Sequence, residues 1–148
     1  LKRKEYDMGS QIEIDNAQKV LEYLSTMEDI SFKSIREDIF EVSCDGLTCL
    51  VDVEETIVCL AMEVMDIPLT NIEDHKETQK KLHLYGFLLR LNNEAIHGKF
   101  CINGDKIFMK DNLEFENLDK NELESSLAWI FAVVRKNIEK IASIMEGV

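Results

Sequence analysis

The stretch Phe40-Glu41-Val42-Ser43-Cys44-Asp45-Gly46-Leu47-Thr48-Cys49-Leu50-Val51-Asp52-Val53 decides the fold class. Before the Asp-Gly pair, Phe40, Val42 and Cys44 alternate with Glu41 and Ser43. After it, Leu47, Cys49, Val51 and Val53 alternate with Thr48, Leu50 and Asp52. Alternation with period two marks a half-buried strand. Asp-Gly suits a two-residue type I′ turn, which needs positive φ at both central positions. That turn pairs Cys44 with Leu47, Val42 with Cys49 and Phe40 with Val51. The apolar side chains then share one face, and Glu41, Ser43, Thr48 and Asp52 share the other. Turn chemistry and hydrophobic pattern point independently to one register.

Outward from this hairpin the chain reads as alternating layers. Asp15 is expected to cap a first helix, with Gln18 closing a box-like pair. Ala17, Val20, Leu21, Leu24 and Met27 recur at three and four, an amphipathic stripe. Residues 30–36 are ambiguous. Thr56 to Met65 fits helix or strand, and the β-branched start favours a third strand of a meander, closed by Pro68. A second helix is expected from Asp74 to Asn92, with Leu82, Tyr85, Leu88, Leu89 and Leu91 as its apolar side and Asn92-Asn93 as its stop. A second hairpin follows. A turn at Asn103-Gly104 pairs Ile102 with Asp105 and Phe100 with Ile107, so that Phe100, Ile102, Ile107 and Met109 share a face. The last helix starts on Asp119 as N-cap and Glu122 at N3, with Leu118 and Leu123 as a hydrophobic staple. Its stripe is Leu123, Leu127, Ile130, Val134, Ile138, Ile141 and Met145. The expected order is α-β-β-β-α-β-β-α, a two-layer α+β domain with helices packed on an antiparallel sheet. Residues 1–14 are expected to form a flexible N-terminal extension and 15–148 a single domain.

The chain has 148 residues, enough for one core, and a formal net charge of −12. That charge is local. From Glu37 to His75 there are 39 residues without Lys or Arg, and they hold 11 carboxylates; the remaining 109 residues hold 18 acids and 17 bases. A basic footprint for nucleic acid or an anionic membrane is missing from the acidic quarter, so neither is expected as a partner. No apolar run has the length of a membrane span. Leu1-Lys2-Arg3-Lys4 has no apolar region behind it and does not read as a signal peptide. The expected location is the cytoplasm. Cys44, Cys49, Cys59 and Cys101 then read as reduced, buried thiols.

Chemistry is thinly represented. His75, His83 and His97 complete no ligand set with Cys or carboxylates by spacing. No phosphate-binding glycine loop or nucleophile elbow occurs. Cys101 and His97, four apart on one strand, are too distant for a nucleophile pair. No metal and no cofactor are expected. Apolar surface is better represented. In a meander, Leu50, Ile57, Cys59 and Ala61 point outward among Glu41, Asp52 and Glu63, an apolar patch rimmed by acids and a candidate partner surface; the alternative is a helix that covers them. On the last helix, Trp129 and Val133 fall off the sheet-facing stripe and are candidates for a partner or dimer surface.

The run Leu88-Leu89-Arg90-Leu91-Asn92-Asn93, then His97-Gly98-Lys99-Phe100, a tight Asn-Gly turn and a capped C-terminal helix resembles the YbjN-like proteins and the wider fold group of type III secretion chaperones. The resemblance covers roughly residues 15–146 in element order. It implies a bacterial α+β chaperone-like fold, a homodimer, and no catalytic centre or cofactor. Secretion chaperones of this fold are small and acidic and hold an extended client segment against apolar patches; YbjN-like proteins are described as sensory or regulatory. The leading expectation is a non-enzymatic binding module that engages a protein partner by edge-strand pairing or helix-in-groove packing. Its rivals are a small metal- or thiol-dependent enzyme or regulator using Cys44, Cys49, Cys59 and the histidines, and a structural subunit of a larger assembly.

Overall fold

A computed structural model describes residues 10–67 and 74–146. Pro68, Glu73 and residues 1–9 of the expected extension lie outside the described residues. The elements are α1 (Gln11–Ser25), β1 (Ser31–Arg36), β2 (Ile39–Cys44), β3 (Leu47–Val53), β4 (Ile57–Asp66), α2 (His75–Glu94), β5 (Lys99–Asn103), β6 (Lys106–Glu114) and α3 (Lys120–Glu146). The strands form one antiparallel sheet in the order β1-β2-β3-β4-β6-β5. The expected α+β order holds, with one strand added in the stretch that was ambiguous.

The first hairpin has the expected register: Cys44 opposes Leu47, Val42 opposes Cys49, and Phe40 opposes Val51. Asp45 and Gly46 both take positive φ, 48° and 84°, as a type I′ turn requires. The second hairpin corrects the expected register. Asn103 pairs with Lys106, Ile102 with Ile107 and Phe100 with Met109, so the turn residues are Gly104-Asp105. Gly104, at φ 62°, supplies the positive angle at the first central position, as in a type II′ turn. The slip is two residues, so each side chain keeps its face. Phe100, Ile107 and Met109 are buried as expected, while Ile102 is exposed at the end of β5.

Two helix readings are also corrected. The first helix starts at Ser10, ahead of Asp15. The Ser10 hydroxyl accepts from the Glu13 amide at 3.2 Å, and the Glu13 carboxylate accepts from the Ser10 amide at 3.1 Å, a complete capping box. Asp15 instead accepts from the Gln11 side chain within the helix. On α2 the core takes Leu84 and Leu88, whereas Leu82, Tyr85 and Leu89, expected to face inward, are exposed. The last helix starts where expected: Asp119 accepts from the Glu122 amide at 2.8 Å, and Leu118 and Leu123 are both buried.

Among the described residues, all three helices contribute to a single core against one face of the sheet. The strands supply Phe40, Val42, Cys49, Val51, Val53, Val58, Leu60, Met62, Phe100, Ile107 and Met109; α3 supplies Leu123, Leu127, Ile130, Phe131, Val134, Ile141 and Ile144. One polar contact enters this layer: the buried Ser126 hydroxyl donates to Asp111 on β6 at 2.5 Å. Gly98 is held by tight packing. It sits at φ 62°, and a Cβ there would lie 3.1 Å from the Lys110 carbonyl oxygen and 3.2 Å from the Met109 sulfur. Gly98→Ala should therefore lower stability by about 1–3 kcal/mol, from left-handed strain and the close approach of β6. Urea unfolding reads this directly; a loss below roughly 0.5 kcal/mol would contradict the packing described.

Candidate partner surface

Because β2 to β6 each bury one side, the residues between the core positions form a second face. Among the described residues no helix covers it. β-pairing places its side chains in rows. One row runs Lys33, Glu41, Leu50, Ala61, Lys110 and Lys99 across all six strands. A second runs Ile39, Asp52, Cys59 and Asn112. Ile57 opposes Glu114 in a third, and Glu63, Phe108 and Cys101 align in a fourth. The structure thus brings Leu50, Ile57, Cys59 and Ala61 onto one open surface, with Leu50 43% exposed. Ile39 and Phe108 join this patch and were not singled out in the sequence, although both stand at outward positions of alternating runs.

Trp129 and Val133 are elsewhere. Both are half-buried on α3 against the core, on the helical side of the sheet, with the Trp129 ring 6.3 Å from the His97 ring in an edge-on contact. The apolar breadth of α3 serves the sheet on one side and α2 on another.

The charge around the open face is uneven. Lys106 lies 2.6 Å from Glu63 and 2.9 Å from Asp66, and these carboxylates raise its pKa; Lys33 approaches Glu41 at 3.6 Å. Lys110 lies over the Phe108 ring at 5.2 Å. At the β3–β4 end desolvation raises the Asp52 pKa, Glu54 and Asp38 raise it further, and Arg36, which lies 3.5 Å from Asp38, opposes part of the rise. A carboxyl pushed up by like charge is one that a cationic partner group would relieve.

The thiols fit packing better than nucleophilic chemistry. Burial pushes the Cys49 thiol up to about 12. Cys59, with its sulfur 3.9 Å from a Glu54 oxygen, is raised by desolvation and by Glu54 and Asp52. Both therefore stay protonated at neutral pH, and the thiolate is the reactive form. Among the described residues no group of His, Cys, Asp and Glu is arranged to hold a metal ion, and no helix is long and apolar enough to cross a membrane.

The Asn92…Phe100 motif proves to be architectural. The Asn92 side chain donates to the Phe100 carbonyl at 3.0 Å and accepts from the Phe100 amide at 2.8 Å. It thereby satisfies the outward backbone groups of Phe100 on edge strand β5 with an amide in place of another strand. Lys99 donates to the Asn92 and Ala95 carbonyls at the C-terminus of α2, where a cation is favoured. The opposite edge, β1, has no such cover among the described residues.

A family model described as CesT_Tir_1, a type III secretion chaperone-like family, matches residues 13–144. The chain belongs to this family. The match spans α1 through nearly all of α3, so the CesT_Tir_1 assignment covers the whole sheet and helical layer. No curated protein matches the chain. A crystal structure of an uncharacterized protein from Methanothermobacter thermautotrophicus is similar in fold, with TM-score 0.61 and 12% identity over 88% of this chain and 97% of that one.

Proposed function

We propose that this CesT_Tir_1 chain is a non-enzymatic, cytoplasmic protein-binding module that holds a partner segment against the open face of its sheet and acts as a homodimer. The observation that carries this reading is the uncovered patch of Leu50, Ile57, Cys59 and Ala61 in a fold of the secretion-chaperone type. Apolar rows supply anchoring area, and the acids at the β3–β4 end select a partner with basic residues beside its apolar anchors. Edge strand β1, which has no strand beyond it among the described residues, offers backbone donors and acceptors to an extended segment along Ser31 to Ser34.

Dimerisation is supported by a different surface. Leu82, Tyr85 and Leu89 stand at i, i+3 and i+7 on α2, with Leu82 and Leu89 66% and 68% exposed. An apolar stripe on an outward helix face suits an isologous contact with a second copy. Light scattering of the purified chain, with affinity capture from the source cell and mass spectrometry, tests both parts. A dimer that recovers a stoichiometric protein partner is the expected result. A strict monomer that recovers none would overturn the reading.

A further inference from the structure

A cavity of about 410 Å³ opens on the helical side of the molecule, where the end of α1, the approach to β1, the β2–β3 turn and α3 meet. It is remote from the open sheet face in kind as well as in residues. Its apolar lining comes from Met27, Ile30, Leu127 and Phe131. Met27, Leu127 and Phe131 are buried core residues that leave only a small edge at its base, and half-buried Ile30 adds to that apolar floor. Exposed Ala128 forms part of the wall, where a larger side chain would fill the space.

The charges at its mouth are asymmetric. Arg135 is already engaged: its guanidinium donates to the Cys44 carbonyl at 3.4 Å and lies 3.7 Å from Asp45. Glu124 is 3.8 Å from Lys120, which also donates to the Thr26 carbonyl. Glu28 and Asp29 are exposed and have no ion-pair partner among the described residues. What is left over at the mouth is therefore negative charge above an apolar base. The volume falls within the range of sites that enclose a small organic group.

We infer that this cavity is a second anchoring site, which takes one bulky apolar side chain of a protein partner flanked by Arg or Lys. The apolar side chain seats on Met27, Leu127 and Phe131, and the flanking cation meets Glu28 and Asp29. The inference rests on the reading of the chain as a protein-binding module, but not on which face of the sheet the partner covers. A partner held at both places would be bound by two tethered contacts, and each would raise the effective concentration at the other.

The test is a titration of the full chain, ¹⁵N-labelled, with three capped tripeptides: Arg-Phe-Arg, Arg-Ala-Arg and Glu-Phe-Glu. Arg-Phe-Arg should shift the amides of Met27 to Ile30, Ala128 and Phe131, and the other two should leave them in place at the same concentration. Ala128→Trp, at an exposed helical position, should abolish the shifts. The double substitution Glu28→Lys and Asp29→Lys should weaken Arg-Phe-Arg by roughly tenfold or more and admit Glu-Phe-Glu. Absence of shifts with Arg-Phe-Arg, equal responses to all three peptides, or shifts centred on another surface would overturn the inference. Such a failure, with a captured partner still bound through Leu50, would leave the binding-module reading intact.

Discussion

Leu60→Ala should remove about 2–5 kcal/mol of folding stability, a large part of the total for a domain of this size. Leu60 lies on β4, between β3 and β6 in the middle of the sheet, where it opposes Val51 on one side and Asp111 on the other. It is almost fully buried beneath the helical layer. Truncation leaves a void bounded by sheet backbone and α3, neither of which can close without breaking other contacts. Leu50→Ala is the matched control: its side chain points to the opposite, open face, so the change should stay within roughly 0.5 kcal/mol. Urea unfolding of both variants gives the comparison. The Leu60 midpoint should fall with little change in slope. Equal effects at positions 60 and 50 would contradict the assignment of core and open faces.

Leu50→Arg should weaken partner binding by at least about tenfold while leaving the unfolding midpoint nearly unchanged. The substitution is structurally mild, because Leu50 stands opposite Glu41 and an Arg there gains a cross-strand counter-ion. For binding it acts twice. It removes the most exposed apolar residue of the patch and places a cation beside a surface proposed to meet basic residues. Wild-type binding should also weaken as salt rises, because the acids near Asp52 and Glu54 outnumber Arg36 there, are partly solvent-exposed and are subject to screening. A captured partner titrated into the two proteins by calorimetry reads both effects. Equal affinity of the variant and the wild type would remove Leu50 from the interface, and salt-insensitive binding would remove the electrostatic part of the account.

The parts of the fold legible in the sequence were those where two independent signals coincided. The first hairpin carried both Asp45-Gly46 and a clean alternation. The last helix carried Asp119, Glu122 and the Leu118–Leu123 staple. β1 was illegible for a physical reason: it is an edge strand, and only Phe32 and Arg36 of its six residues are even half-buried, so little period-two signal survives. A register shift between Ser34 and Arg36 disturbs what remains. At the start of α1 the sequence reading points to Asp15 as the cap, and the full reciprocal box between Ser10 and Glu13 sets the helix start one turn earlier. On α2, apolar residues occur on two faces. Periodicity fits Leu82-Tyr85-Leu89 as well as Leu84-Leu88, and only tertiary packing selects the second pair.

The candidate surface divides along the same line. Leu50, Ile57, Cys59 and Ala61 could be placed together because strand alternation fixes which side each faces. Trp129 and Val133 could not be, because a helix that is apolar over much of its circumference does not reveal which side meets its own chain. The roles of Asn92 and Gly98 were likewise hidden. An Asn at a helix end reads as a stop signal, and nothing local shows that its amide will occupy a strand edge.

The most direct test of the central claim is photo-crosslinking with a benzophenone amino acid placed at position 50 on the open sheet face or at position 140 on α3. Lys140 is exposed on the helical layer and lies on a side of α3 turned away from the cavity-lining Glu124, Ala128 and Arg135. The account predicts covalent capture of the partner from position 50 and none from position 140. Capture from position 140 with none from position 50 would contradict it.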